Sequence, residues 1–237
     1  GHEGWQLLAA DYSQIELRIL AHFSGDEALC GAFERDEDIH RAVAAEVYGV
    51  PLAEVTSQQR RNAKAVNFGI IYGLSPWGLA KQLGIEQDEA AAFIDAYFQR
   101  YPRVEEFLAQ VLAECRAKGY VRTILGRRRA IHGVRSGVHR QRNLPERTAI
   151  NTVVQGSAAD IIKLAMIRLH DRLQAEPIAA AMLLQIHDEL VFEVADRHVA
   201  QLAALVVQEM SSVYPLNVPL KVDVSAGANW ASLQPIP

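Results

Sequence analysis

Ala181-Met182-Leu183-Leu184-Gln185-Ile186-His187-Asp188-Glu189-Leu190-Val191-Phe192-Glu193-Val194 is the stretch that decides the fold. Two apolar runs, 181–186 and 190–194, flank three polar residues, a pattern that predicts a β-hairpin with carboxylates at its turn. Near the other end of the chain, Trp5-Gln6-Leu7-Leu8-Ala9-Ala10 leads in the same way into Asp11-Tyr12-Ser13. A strand that delivers a carboxylate at its tip suits a hard divalent cation. Mg²⁺ takes one or two carboxylates and completes its shell with water and phosphate oxygens. Asp11 and Asp188 are therefore the candidate metal ligands, and two such tips together fit nucleotide triphosphate chemistry.

Outward from these strands, Ser13-Gln14-Ile15-Glu16 has the form of a capping box and predicts a helix through His22, with Asp11 on the strand-to-helix turn. Residues 38–107 read as helical, with breaks at Gly49-Val50-Pro51, Gly73 to Pro76, Gly84 and Tyr101-Pro102. A helix over about 103–118, a strand-like run at 120–125, a long helix over 146–173, a helix over about 195–213 and a strand at 220–224 complete the reading. Sheet, helical insertion and sheet in that order predict an α+β fold.

Composition limits the function classes. The chain has 237 residues, half of them hydrophobic, enough for a sizeable core. Its two cysteines, Cys30 and Cys115, have no histidine or cysteine at zinc spacing, which argues against a disulfide framework or a structural zinc. No apolar stretch reaches the roughly 18 residues of a membrane span, and Gly1-His2-Glu3-Gly4-Trp5 lacks a signal-peptide pattern. The expectation is a soluble, intracellular chain with no membrane partner. A net charge of −4 looks wrong for a nucleic-acid binder, but the distribution is uneven. From 127 to 147 there are seven arginines (127, 128, 129, 135, 140, 142, 147) against one acid, Glu146, with Gly126, Gly133 and Gly137 among them. This segment reads either as a solvated loop or as a phosphate-backbone contact.

The sharpest helix lies in the insertion. Thr56-Ser57-Gln58-Gln59 is a second capping-box form, and Arg60, Lys64, Phe68 and Tyr72 follow at spacings of four, which keeps them on one slowly drifting face. Gly73 follows as a C-cap. Two cations and then two aromatics can grip a triphosphate at one end and stack a base at the other. Taken singly, Arg60 and Lys64 read sooner as solvated surface and Phe68 and Tyr72 as ordinary core; the combination with Asn67, Gly69 and Gly73 favours the nucleotide-binding reading.

Asp11-Tyr12-Ser13-Gln14-Ile15-Glu16-Leu17-Arg18, Arg60-Arg61-Asn62-Ala63-Lys64-Ala65-Val66-Asn67-Phe68-Gly69 with Tyr72-Gly73, Gln155-Gly156, and His187-Asp188-Glu189 together resemble the successive motifs of family A DNA polymerases, the bacterial DNA polymerase I group. The likeness covers essentially the whole chain. It implies an antiparallel-sheet palm with a helical fingers insertion, divided as palm 1–35, fingers 36–117 and palm 118–237. It further implies a DNA-directed DNA polymerase that transfers dNMP from dNTP to a primer 3′-hydroxyl with two Mg²⁺ ions, in replication or repair. The implied partners are primer-template DNA and dNTPs; the implied setting is a bacterial cytoplasm or a phage, with the full-length protein a monomer.

Carried over position by position, the resemblance makes Asp11 and Asp188 the metal ligands, adds the Tyr12 carbonyl as a further ligand, and makes Glu189 an accessory carboxylate. Gln14, Glu16, His40, Arg60, Lys64, Phe68 and Tyr72 become dNTP-binding residues: Arg60, Lys64 and His40 supply positive charge to the triphosphate, and Glu16 blocks a ribose 2′-hydroxyl. Arg127, Arg128, Arg129, Arg147, Asn151, Gln155 and His187 become primer-template contacts. Minor-groove acceptors lie alike in every Watson-Crick pair, so such contacts test pair shape without reading sequence. The chain begins just before the first motif, so it is read as a palm-and-fingers fragment without thumb or exonuclease domains. Asn151-Thr152-Val153-Val154-Gln155 carries valine where the family often has proline, which restores a backbone N–H to that helix.

Overall fold

The computed structural model describes residues 3–135 and 139–236, with the backbone but not the side chains of 139–142. Gly1, His2, Gly137 and the side chains of Arg140 and Arg142 lie outside the described residues. In chain order the elements are β1 (Trp5–Tyr12), α1 (Ile15–Ser24), α2 (Glu27–Glu34), α3 (Ile39–Tyr48), α4 (Ser57–Ile71), α5 (Pro76–Leu83), α6 (Gln87–Arg100) and α7 (Pro102–Lys118). Then come β2 (Tyr120–Arg122), β3 (Arg128–Ala130), α8 (His139–Ala175), β4 (Ala180–Ile186), β5 (Glu189–Ala195), α9 (Val199–Ser212), β6 (Val222–Gly227) and β7 (Gln234–Pro235). The α+β class expected from the sequence is the one observed. The chain folds into two compact units, 1–15 with 158–237, and 16–157.

The first unit is built on an antiparallel sheet of order β4-β5-β1-β6-β7. The central strand β1 is apolar along its middle, with Leu8 and Ala10 fully buried, because it has a neighbour on each side and side chains on both faces to cover. Helix α9 packs on β1, β5 and β6, and its Leu202, Val206 and Met210, spaced by four, are fully buried. It starts later than the sequence suggested. Residues Asp196–His198 form a single 3₁₀ turn first, and the His198 ring accepts the Ala179 N–H at 2.8 Å, tying the turn to the start of β4. Strand β6 also lies two residues beyond its apolar run, because pairing begins at Tyr12 with Val222 and runs to Leu7 with Gly227. Backbone register, not hydrophobicity, sets its ends.

Strand β4 pairs with β5 through a register shift between Met182 and Leu184 and is an edge strand of this sheet. Leu183 and Leu184 are 49% and 41% exposed on it. An apolar edge with unpaired backbone groups is a template for self-association. Replacing Leu183 with Lys and Leu184 with Glu is expected to lower the aggregation rate of the 237-residue chain, read by light scattering, with unchanged far-ultraviolet circular dichroism.

The second unit holds the helices of the insertion, and the sequence breaks fall where expected. Thr56 and Gln59 form the reciprocal capping box at the start of α4. At its end Leu74 N–H reaches Gly69 O at 2.8 Å and Gly73 N–H reaches Ile70 O at 3.1 Å, a Schellman closure with Gly73 at φ +61°. Helix α2 was missed in the sequence, although Asp26 caps it by accepting from Ala28 and Leu29 N–H. Part of the arginine-rich segment is not loop: Arg128–Ala130 is strand, paired with Tyr120–Arg122. Helix α8 starts seven residues before the expected 146, with Pro145 inside it. Proline normally breaks a helix interior; here Pro145 packs toward Gly133, which has no Cβ and would place one 3.3 Å from Pro145 Cγ. Cys115, Val121, Ile131, Val134, Ala149 and Val153 form the core beneath this hairpin, with Phe107 and Phe23 against it.

Candidate functional site

In the first unit the register of three strands assembles the carboxylates. Asp11, near the end of β1, lies opposite Glu189 on β5 and opposite Asp223 on β6. The β4–β5 turn brings Asp188 beside it. His187 takes a left-handed φ of +52° to make that turn, its carbonyl accepting from Gln185 Nε2 at 3.0 Å, and Tyr12 N–H donates to Asp188 O at 3.2 Å. Tyr12 buries its ring and donates its hydroxyl to Met210 O at 2.8 Å, so any metal contact of this residue falls to its backbone carbonyl.

Like charges at this spacing are costly. Burial first, then Asp188, Glu189 and Asp223, push the Asp11 carboxyl up to about 6, and burial with Asp188 raises Glu189. Asp11 Oδ1 and Glu189 Oε1 are buried without a hydrogen-bond partner in the protein. Orphaned, mutually repelling carboxylate oxygens are what a divalent cation would satisfy, so the residues present fit Mg²⁺. Among the described residues no group of three or more His, Cys, Asp or Glu side chains is placed to hold a metal ion; Mg²⁺ takes only one or two carboxylates, with water and substrate oxygens in the rest of its shell. Asp223 was not singled out in the sequence; its signal was an acid alternating with valines in a predicted strand.

The raised Asp11 carboxyl has a consequence for stability. A carboxyl held above its ordinary value binds protons better folded than unfolded, so its contribution is present below about pH 4 and is lost as pH rises through about 6. Asp11→Asn is therefore expected to stabilise the metal-free chain increasingly from pH 5 to pH 8. With Asp11 only partly buried, solvent screening limits the gain to on the order of 1 kcal/mol, about 2–4 °C in melting temperature. Paired thermal melts at the two pH values check it; the difference between variant and parent matters, because His40 acts with the opposite sign in the same range.

Gln14 is the second half of the turn after β1, at φ +55°. Helix α1 begins at Ile15, directly after the left-handed Gln14. Glu16 Oε2 accepts the Tyr72 hydroxyl at 3.0 Å, within the second unit.

Around that bond the second unit builds a face on α4. Phe68 stacks on Tyr72 with centroids 6.1 Å apart, and Lys64 Nζ lies 5.9 Å from the Phe68 centroid. Arg60 is held by Asp38, Nε to Oδ2 at 2.6 Å, while the other Asp38 oxygen caps α3 through His40 and Arg41 N–H. Gly73 is required twice: its φ is positive, and a Cβ there would sit 2.9 Å from Arg147 Cγ. Arg147 Nε in turn donates to Tyr72 O at 3.0 Å.

His40 departs from its expected role. It is buried, its Nδ1 accepts from Asn67 Nδ2 at 2.9 Å, and burial, opposed by Asp38 and reinforced by Arg60 and Lys64, lowers it to about 4. Burial thus disfavours the charged form of His40 in the nucleotide-free chain.

The remaining expected contacts line α8 and the β2–β3 hairpin. Asn151 Oδ1 is buried without a partner, and Gln155 is exposed one turn further on. Arg127 and Arg129 donate to Gly156 O and Thr152 Oγ1, each at 3.0 Å, and Ile124 N–H donates to Ser157 Oγ at 2.8 Å. Gly156 permits this approach, since a Cβ would meet Thr123 Cγ2 at 2.8 Å.

The family profile described as DNA polymerase family A matches residues 1–232. DNA polymerase I of Pseudomonas aeruginosa is 50% identical over 228 residues, covering 96% of this chain and 25% of the relative. The thermostable DNA polymerase I of Thermus filiformis is likewise 50% identical, covering 96% of this chain and 27% of its own length. The chain thus spans about a quarter of the relatives it matches. The solved POL domain of Pol1 from M. smegmatis, in complex with DNA primer-template and dNTP, is 45% identical with a TM-score of 0.92, covering 96% of this chain and 40% of that one. The chain belongs to DNA polymerase family A.

Proposed function

We propose that this chain carries the nucleotide-joining chemistry of a DNA-directed DNA polymerase, moving dNMP from a dNTP to the 3′-hydroxyl of a templated primer. The observation that carries the reading is the α4 face, where a Glu16–Tyr72 hydrogen bond closes off a stacked Phe68 on the same helix as Arg60 and Lys64. A metal-dependent nuclease needs the carboxylates but has no use for that wall. Residues 36–117 are assigned to fingers and 1–35 with 118–237 to palm, a division by function that differs from the two compact units. The M. smegmatis complex supports primer-template DNA and dNTP as the partners.

Asp11 and Asp188 are the ligands assigned to the metal, with the Tyr12 carbonyl beside them and Glu189 as the accessory acid. Two Mg²⁺ ions, when bound, supply the Lewis acidity that eases ionisation of the primer hydroxyl and offsets charge on the leaving pyrophosphate. Lys64 and Arg60 neutralise the triphosphate, Arg60 exchanging Asp38 for phosphate as it does so. His40 is assigned to the triphosphate beside them. Phe68 and Tyr72 hold the sugar and base, and Glu16 shuts the space of a 2′-hydroxyl. Gln14 is assigned to the dNTP, and Arg147, Asn151, Gln155 and His187 to the primer and template strands. A bacterial cytoplasmic setting and a monomeric full-length enzyme belong to the proposal as implications of the family resemblance; no helix among the described residues is long and apolar enough to cross a membrane.

The test is a chimera in which this chain replaces the matching quarter of the P. aeruginosa enzyme, given labelled primer-template and Mg²⁺ with and without dNTPs. Extension that requires dNTPs is expected; shortening of the label without dNTPs would favour a nuclease.

A further inference from the structure

Of the two cations on the α4 face, one is countered and the other is not. Arg60 Nε donates to Asp38 Oδ2 at 2.6 Å, whereas Lys64 makes no ion pair among the described residues. The neighbouring arginines are used elsewhere: Arg41 donates to Leu52 O and Ala53 O at 2.8 and 3.2 Å, and Arg61 to Gln58 Oε1. Asp38 is also held in place to meet Arg60. Its Oδ1 accepts His40 and Arg41 N–H, each at 3.1 Å, as the N-cap of α3, which leaves Oδ2 for α4. Burial opposes ionisation of this carboxyl, but the Arg60 hydrogen bond and then the Arg41 N–H hold it below its ordinary range. The charge beside Arg60 is therefore a full one at neutral pH.

Arg60 stands at the end of the face farthest from the rings. Four helical residues rise roughly 6 Å, so Arg60 lies one turn beyond Lys64 and two turns beyond Phe68. A nucleotide whose sugar and base meet Phe68 and Tyr72 passes Lys64 first and reaches Arg60 with its last phosphate. There the phosphate meets a cation that already carries a carboxylate. Binding is an exchange in which the ion pair opens and the Asp38 charge stays close to the phosphate that displaced it. Both effects loosen the hold on the terminal phosphate, and neither touches the sugar or the base. The terminal phosphate leaves with pyrophosphate, and a contact made equally well before and during the chemical step does not speed that step.

We propose that Asp38 is a positioning residue that competes with the terminal phosphate for Arg60, keeping that end of the nucleotide loosely held so that pyrophosphate departs as Arg60 returns to the carboxylate. The proposal rests on the polymerase reading above and adds to it a residue that sets how readily product leaves.

The probes are dATP, dADP and inorganic pyrophosphate, each titrated with Mg²⁺ into the 237-residue chain by calorimetry. Asp38→Asn keeps an oxygen for the cap and puts an amide in place of Oδ2, and Asp38→Ser keeps the cap and leaves nothing toward Arg60. Both should melt close to the parent. Both are expected to bind dATP and pyrophosphate about three- to tenfold more tightly, the scale of one partly exposed ion pair and one nearby charge. The last phosphate of dADP stops short of Arg60, so its affinity should match the parent's. With Arg60→Ala in the background the gain should vanish. Unchanged or weaker binding of dATP or pyrophosphate in both variants, an equal gain for dADP, or a gain that survives Arg60→Ala would overturn the proposal, as would a parent chain that binds no dATP. Primer extension by the chimera judges the polymerase reading separately: extension together with parent-like dATP binding by both variants sinks the Asp38 assignment alone.

Discussion

Alanine in place of Asp11 or Asp188 is expected to reduce dNTP incorporation by roughly a thousandfold or more, since the metal contributes several kcal/mol to the transition state. DNA binding should change little, because affinity comes mainly from phosphate contacts elsewhere. The comparison is single-turnover incorporation and DNA titration on the same chimeric proteins. Asp11 carries the sharper version of this expectation. Its carboxyl is crowded by Asp188, Glu189 and Asp223, and Asp11→Asn should stabilise the metal-free fold while it removes activity. A residue whose loss improves stability and ends function is kept for chemistry. Substantial Mg²⁺-dependent extension by either alanine variant would remove the carboxylates from the mechanism.

Sugar selection is the second large effect. Glu16 Oε2 and the Tyr72 hydroxyl are 3.0 Å apart, and Phe68 stacks on Tyr72, so the three form one continuous wall. An incoming ribonucleotide would drive its 2′-hydroxyl into a hydrogen bond that is already made. A few kcal/mol of strain or lost contact corresponds to discrimination of roughly a hundredfold or more. Glu16→Ala should therefore relax the exclusion of rNTPs by about that factor. Phe68 has no hydroxyl to stand in for a missing substrate 3′-hydroxyl, so Phe68→Tyr should improve dideoxynucleotides as terminators. Both variants keep the metal ligands and the phosphate cations, and dNTP incorporation should largely survive. Unchanged rNTP and ddNTP selectivity in both would mean that the pocket is built from other residues.

The sequence carried a good deal of this. The two carboxylate tips were legible because strands β1, β4 and β5 are nearly uninterrupted apolar runs that stop at acids, and the α4 face was legible because its capping box and spacings of four are local signals. What escaped depended on distant pairing. Asp223 joins Asp11 only through the β1–β6 register, which no local pattern encodes. The strand Arg128–Ala130 was hidden because its arginines read as solvated, although its partner Tyr120–Arg122 gives it a ladder to join. Glu16 looked like a capping residue, and its bond to the Tyr72 hydroxyl, 56 residues away, is written in no local pattern. The disfavoured charge of His40 was equally out of reach, because it follows from burial against Asn67 and from the nearby cations, not from its position in the motif.

The most direct test of template-directed synthesis is single-nucleotide incorporation by the chimera with Mg²⁺, each of the four dNTPs offered against each of the four template bases. The account predicts efficient addition of the Watson-Crick partner alone at every template base, and none when Asp188 is alanine. Addition of the same nucleotide whatever the template base, or addition that survives loss of Asp188, would contradict it.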